Sequence, residues 1–114
     1  MHCQHVKNGA FLFLWSSIRT ALLPAVEGLV TVTDEPGDWR VETHEGRPFL
    51  TLRIQRRHVG LYLLPMYYHP GVCDAALAPF RHGKSTFRFT LTTEPPFEAL
   101  KTTMERARAV VGVY

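Results

Sequence analysis

The sequence predicts an α+β domain: a mainly antiparallel five-stranded sheet packed with an N-terminal helix, a short helix and a C-terminal helix. Three observations carry this prediction. Apolar residues recur at helical spacing near both ends of the chain. Between those stripes lie short apolar runs divided by turn residues. One later run alternates apolar and polar residues without a break, as a strand with one buried face does.

The first stripe is Phe11, Trp15, Ile18, Leu22 and Val26, with Leu14 and Leu23 beside it. Gly28 marks its end, and Pro24, which has no backbone donor, bends the last turn or stops the helix early. Residues 1–8 read as a loose terminus to a single domain spanning residues 1–114. Four strand-like runs follow: Leu29 to Thr33, Trp39 to Thr43, Phe49 to Gln55 and Val59 to Leu64, separated by Asp34-Glu35-Pro36-Gly37, Glu45-Gly46-Arg47-Pro48 and Arg56-Arg57. They read as an antiparallel meander. In the third run Leu50, Leu52 and Ile54 face the core, whereas the fourth is largely apolar on both faces and so is expected to be covered on its second face. Asp74 to Phe80 forms the short helix, capped by Asp74 and limited by Pro79. In the alternating run "STFRFTLT", Phe87, Phe89 and Leu91 point inward. Thr93, Glu94, Pro95 and Pro96 then start the closing helix, whose apolar stripe is Phe97, Leu100, Met104, Ala107 and Val111.

A chain of 114 residues suits one core, which buries about 65% of the unfolded surface at this size. The 46% hydrophobic and 20% charged content excludes a disordered chain. Thirteen Lys and Arg against ten Asp and Glu give a net charge of +3, spread along the sequence except at two turns: Arg53, Arg56, Arg57 and His58, then Arg81, His82, Lys84 and Arg88. That distribution reads against a nucleic-acid partner. Cys3 and Cys73 are too far apart, with one in a loose terminus, to read as a structural disulfide, so the chain is read as cytoplasmic. Ser16, Ser17 and Arg19 interrupt the apolar opening of the first helix, which reads as neither a signal peptide nor a membrane span.

Gly83-Lys84-Ser85 is the end of a phosphate-loop motif, yet Ala78 stands where the first glycine belongs, and a strand rather than a helix follows. The tripeptide therefore reads as a turn. Two weak metal sets stand out: His69 with Cys73, interrupted by Pro70-Gly71, and His2, Cys3 and His5 at the terminus. No nucleophile elbow and no spaced carboxylate pair points to catalysis, and no cofactor motif is present. The strongest binding signal is aromatic. Tyr62, Met66, Tyr67, Tyr68 and Phe80, with Arg88, combine rings, polar tips, a pliable thioether and a cation near one end of the sheet. The expectation is a non-enzymatic domain that binds a small molecule or a protein partner, including a second copy of itself, at an aromatic cleft.

The segments "VGLYLLPMYYHP" and "HGKSTFRF", with a short helix between them, resemble the YdhG-like family of small domains of unknown function. Members of that family often show a strand ending in Met-Pro-x-Tyr and, after a helix, Gly-Lys-Ser-Cys-Phe-x-Phe; here Leu64-Pro65-Met66 and Thr86 depart from that pattern. The resemblance runs from the first helix through "TVTDEPGDW" to the last helix. It implies one further role, because some relatives have been likened to frataxin-type iron chaperones. The alternative expectation is thus a metal-handling protein, although this basic chain offers only Glu27 near its first helix where such a role needs a ridge of carboxylates.

Overall fold

The computed structural model describes residues 9–114 in full, and of residues 2–8 only that their backbone belongs to the first helix. No side chain of residues 1–8 is described, so the expected loose terminus and the His2, Cys3 and His5 set lie outside the described residues. The first helix, α1, spans His2–Leu22. Five strands, β1 (Val30–Glu35), β2 (Asp38–Glu42), β3 (Pro48–Ile54), β4 (Val59–Leu63) and β5 (Thr86–Phe89), pair antiparallel in sequence order. A one-turn helix α2 (Leu64–Tyr68) and two 3-10 turns, Pro70–Val72 and Ala75–Phe80, connect β4 to β5. The closing helix α3 spans Phe97–Ala109. The α+β expectation is met.

Register explains why one face of the sheet is dry. Trp39, Leu52, Leu61 and Phe87 stand opposite one another across four strands, and Val41, Leu50 and Leu63 form the next row. Opposed residues share a face, and all seven are buried. Helices α1 and α3 pack on this face through Phe11, Trp15, Ile18, Leu22, Leu100, Met104 and Ala107. Each such side chain contributes roughly 1.5 to 3 kcal/mol by leaving water. The Trp15 indole N–H also donates to the Leu52 carbonyl at 2.8 Å, tying α1 to the central strand.

At Pro24 the second of the two expected outcomes holds: α1 stops early, at Leu22, and Pro24 lies in a 3-10 turn, Leu23–Val26. Other local expectations are corrected. The short helix is the 3-10 turn Ala75–Phe80, with the Asp74 carboxylate accepting from the Ala76 amide at 2.9 Å. Leu64 leaves the strand for α2, because Pro65 at the start of that helix fixes a helical φ. The fourth run therefore has one apolar face, formed by Val59, Leu61 and Leu63, and the other face carries Gly60 and Tyr62. No element among the described residues roofs that second face; the Ala75–Phe80 turn packs instead on β5 and α3. Leu91, expected inward, is exposed beyond the end of β5. The window Gly9–Val26 is long and apolar enough, by length and composition, to cross a membrane, which the interrupted pattern had read against. In this fold its stripe Phe11, Trp15, Ile18, Leu22 and Val26 is spent on the core.

Candidate functional site

The open face of the sheet is built from two cross-strand rows. One runs Glu35, Asp38, Arg53, Gly60, Arg88 from β1 to β5, and the next runs Arg40, Thr51, Tyr62, Thr86 from β2 to β5. Adjacent strands lie about 4.8 Å apart, which sets the Arg53 and Arg88 backbones roughly 10 Å from each other on either side of Gly60. Glycine puts no side chain of its own between them, and the Gln55 and His58 side chains border the space it leaves. A Cβ placed there would meet Gln55 Cγ at 3.6 Å and His58 Nε2 at 3.7 Å, so the gap has a wall at the turn end but no obstruction. Thr51, Tyr62 and Thr86 close the other side, and the whole forms a cavity of about 350 Å³. Tyr62 is 39% exposed, with its ring available to a partner.

Charge is distributed unevenly along these rows. Arg40 clasps Asp38 through two bonds of 2.9 and 3.0 Å, which leaves the carboxylate satisfied at the β1–β2 side. Arg53 and Arg88 have no ion pair among the described residues. His58 closes the β3–β4 turn, where the Gln55 amide donates to its carbonyl at 2.8 Å. Its pKa is lowered by partial burial first, and then by the positive charge of Arg88 and of His82 when protonated. His82 comes from the segment that leads into β5. The two basic turns, distant in sequence, therefore meet: Arg57, His58, His82 and Arg88 line one cavity of about 410 Å³, with Phe80 and Pro79 as its apolar wall. This second cavity shares His58 and Arg88 with the first.

The six aromatic-cleft residues do not converge. Tyr62 and Arg88 lie on the open face, and Phe80 sits at the β5 edge with its ring 5.2 Å from that of Phe89. Met66 is corrected from the surface to the core: it is fully buried, because Leu64–Tyr68 coils and turns the thioether under the sheet. Tyr67 and Tyr68 are exposed on α2, their rings 5.1 Å apart edge to face. Tyr68 stacks on Tyr114 at 6.1 Å, and Arg47 lies 5.6 Å from each of those two rings. What the sequence reading missed is the anion-friendly set of Arg53, Gly60 and His58. The signal was the glycine inside the alternating run Val59 to Leu64, which marks a close approach or a gap.

The other candidates have plain geometry. Arg81 pairs across from Phe87, and the His82 amide donates to the Thr86 carbonyl at 2.9 Å, so Gly83, Lys84 and Ser85 are the loop of a small hairpin. Gly83 has φ +100°, a conformation for which glycine is suited. The Arg81 guanidinium fills the loop, donating to the Gly83 carbonyl at 2.9 Å. The element that follows Lys84 directly is the strand β5, not a helix. His69 and Cys73 are separated by the Pro70–Val72 turn, and among the described residues no three His, Cys, Asp or Glu side chains gather. Burial pushes the Cys73 thiol above its ordinary pKa, and its Sγ lies 3.5 Å from the Asp74 carbonyl. A further cavity, of about 560 Å³, is a groove between α1 and the β5–α3 connection, apolar in character around Phe13, Leu14, Leu91 and Phe97.

No protein-family model matches the chain, and no curated protein or solved structure matches it either.

Proposed function

We propose that the chain is a non-enzymatic, YdhG-like binding domain, and that its ligand is a small anion carrying a flat ring, taken up on the open face of the sheet. One observation carries this reading: Gly60 leaves a gap between Arg53 and Arg88, with the exposed Tyr62 beside it on the same strand. The ring of a ligand stacks on Tyr62, where an aromatic pair contributes about 0.5 to 1.5 kcal/mol beyond its buried area. Its acidic group reaches the guanidiniums, whose paired N–H donors suit a carboxylate or phosphate. The Thr51 and Thr86 hydroxyls supply orienting bonds. Amide NMR titration with benzoate tests it. Shifts concentrated at Thr51, Gly60, Tyr62 and Thr86 support the reading, and their abolition in a folded Gly60→Leu variant, whose side chain fills the gap, completes it. Benzoate that moves none of these amides at concentrations on the order of 10 mM overturns it.

A second reading, self-association, has its own support in the charge order Glu35, Asp38, Arg53, Arg88 along one row. Two copies facing each other about a two-fold parallel to the strands set the carboxylate end of each row over the guanidinium end of the other. Sedimentation at low salt checks it: a dimer that dissociates in Glu35→Lys is expected, and a monomer at every concentration removes this reading.

A further inference from the structure

The two basic turns converge on a place that the ring-binding cavity does not explain. Beside it, at the β5 edge, Arg57 and His58 from the β3–β4 turn face Arg88 from β5 and His82 from the segment before it, in a cavity of about 410 Å³. Among the described residues no carboxylate lines this cavity, and none of its cations is in an ion pair. Like charges held this close repel, and each would be stabilised by an anion shared among them. We propose that this second cavity holds the phosphate of a small phosphate monoester whose ring stacks on Tyr62. The inference rests on the reading of the open face as a binding surface, and it names the class of ligand which that surface takes.

Two features select a phosphate monoester over a carboxylate. A phosphate monoester carries nearly two negative charges at neutral pH and presents three acceptor oxygens, enough to engage the Arg57 and Arg88 guanidiniums together with an imidazole N–H. A carboxylate has one charge and two oxygens, and it leaves one of those cations unmatched. The strain is visible at His58, whose pKa is lowered by partial burial and by Arg88 and His82; a bound dianion reverses the effect of both neighbours. His58 is faced by Gln55, Arg53 and Arg57 from its own hairpin, by Arg88 from β5 and by His82. The same face argues for a small molecule and against a polymer. Beyond Arg53 the row continues into Asp38 and Glu35, so a polynucleotide crossing the sheet meets carboxylates. The two cavities share His58 and Arg88, and together they suit one ring and one phosphate.

The test compares phenyl phosphate with benzoate by amide NMR on the whole chain, in the wild type and in Arg57→Gln and His82→Gln. Phenyl phosphate is expected to bind about tenfold or more tightly than benzoate, the difference that one additional charge-assisted contact makes. It should shift the Arg57, His58 and His82 amides as well as those of Gly60 and Tyr62. Both variants should bring phenyl phosphate down to the level of benzoate while leaving benzoate unchanged. Equal affinities, with shifts confined to Thr51, Gly60, Tyr62 and Thr86, overturn the phosphate assignment and leave the open-face reading intact. Failure of both probes at both cavities overturns the two together. A short single-stranded oligonucleotide that binds more tightly than phenyl phosphate through the same amides overturns the assignment to a small molecule.

Discussion

Thr103 shows how much one buried hydroxyl can hold. It sits on α3, is fully enclosed, and accepts from the Asp74 amide at 2.9 Å, fixing the start of the Ala75–Phe80 turn to the closing helix. Thr103→Val keeps the shape and strands that amide. The expected loss is about 1 to 3 kcal/mol by chemical denaturation, with Thr103→Ser retaining the bond; equal stability of the valine variant contradicts this role. Gly83→Ala should cost about 1 to 3 kcal/mol, since φ +100° strains any residue with a Cβ. A neutral result there means that the hairpin loop relaxes. At this scale the sequence was legible where alternation spoke directly, as at Tyr62 and Arg88. It was not legible at Met66: a one-turn helix after a strand rotates successive side chains by about 100° instead of 180°, so a residue read as surface arrives in the core. Nor was the meeting of His58 with His82, which comes from strand pairing between segments twenty-four positions apart in sequence.

The closing helix α3 is the clearest element in the sequence. Leu100, Met104 and Ala107 are buried as their spacing requires, whereas Val111 lies past the helix end and is half-buried. Leu100→Ala should cost about 2 to 5 kcal/mol, and a loss well below that range by denaturation means that α3 is peripheral. α3 also caps its partner: the Arg108 guanidinium donates to the Ala25 and Glu27 carbonyls at 3.1 and 2.7 Å, satisfying acceptors freed where the N-terminal helical segment ends. Boundaries were less legible than elements, and Leu64 illustrates the reason. Its apolar character continues the strand pattern, but the ring of Pro65 holds that residue's own φ near the helical value, and backbone restriction outweighs side-chain periodicity there. That single displacement produced the expectation of a covered second face.

For the molecule as a whole, the basic end of the sheet makes stability depend on pH in a definite direction. Folding lowers the pKa of His58 below its ordinary 6.5, so the unfolded chain takes up that proton first. The contribution of the neutral ring is fully present above that value and is lost as pH falls through the window below it. Stability should therefore decline on acidification from about pH 6.5 before the carboxylates titrate, and His58→Gln should flatten the slope. A rise in stability over the same window contradicts the cluster's geometry. Inorganic phosphate should oppose the decline in the wild type if the second cavity holds it.

The strict sequence order of the strands has a consequence in time. Every strand pairs with its neighbour in the chain; three of the four closures use loops of two to five residues with low entropic cost, the fourth, β4 to β5, spans residues 64–85, and the distant segments are joined chiefly by α1, which meets β3, β4 and α3. Such a topology favours rapid folding in which local pairs form before the ends come together. Docking of α3 then belongs after the rate-limiting barrier, and the cost of Leu100→Ala should appear almost wholly as faster unfolding, with the refolding rate nearly unchanged. A chevron in which that variant refolds slowly would instead place the last helix in the nucleus, making the sheet wait for the end of the chain.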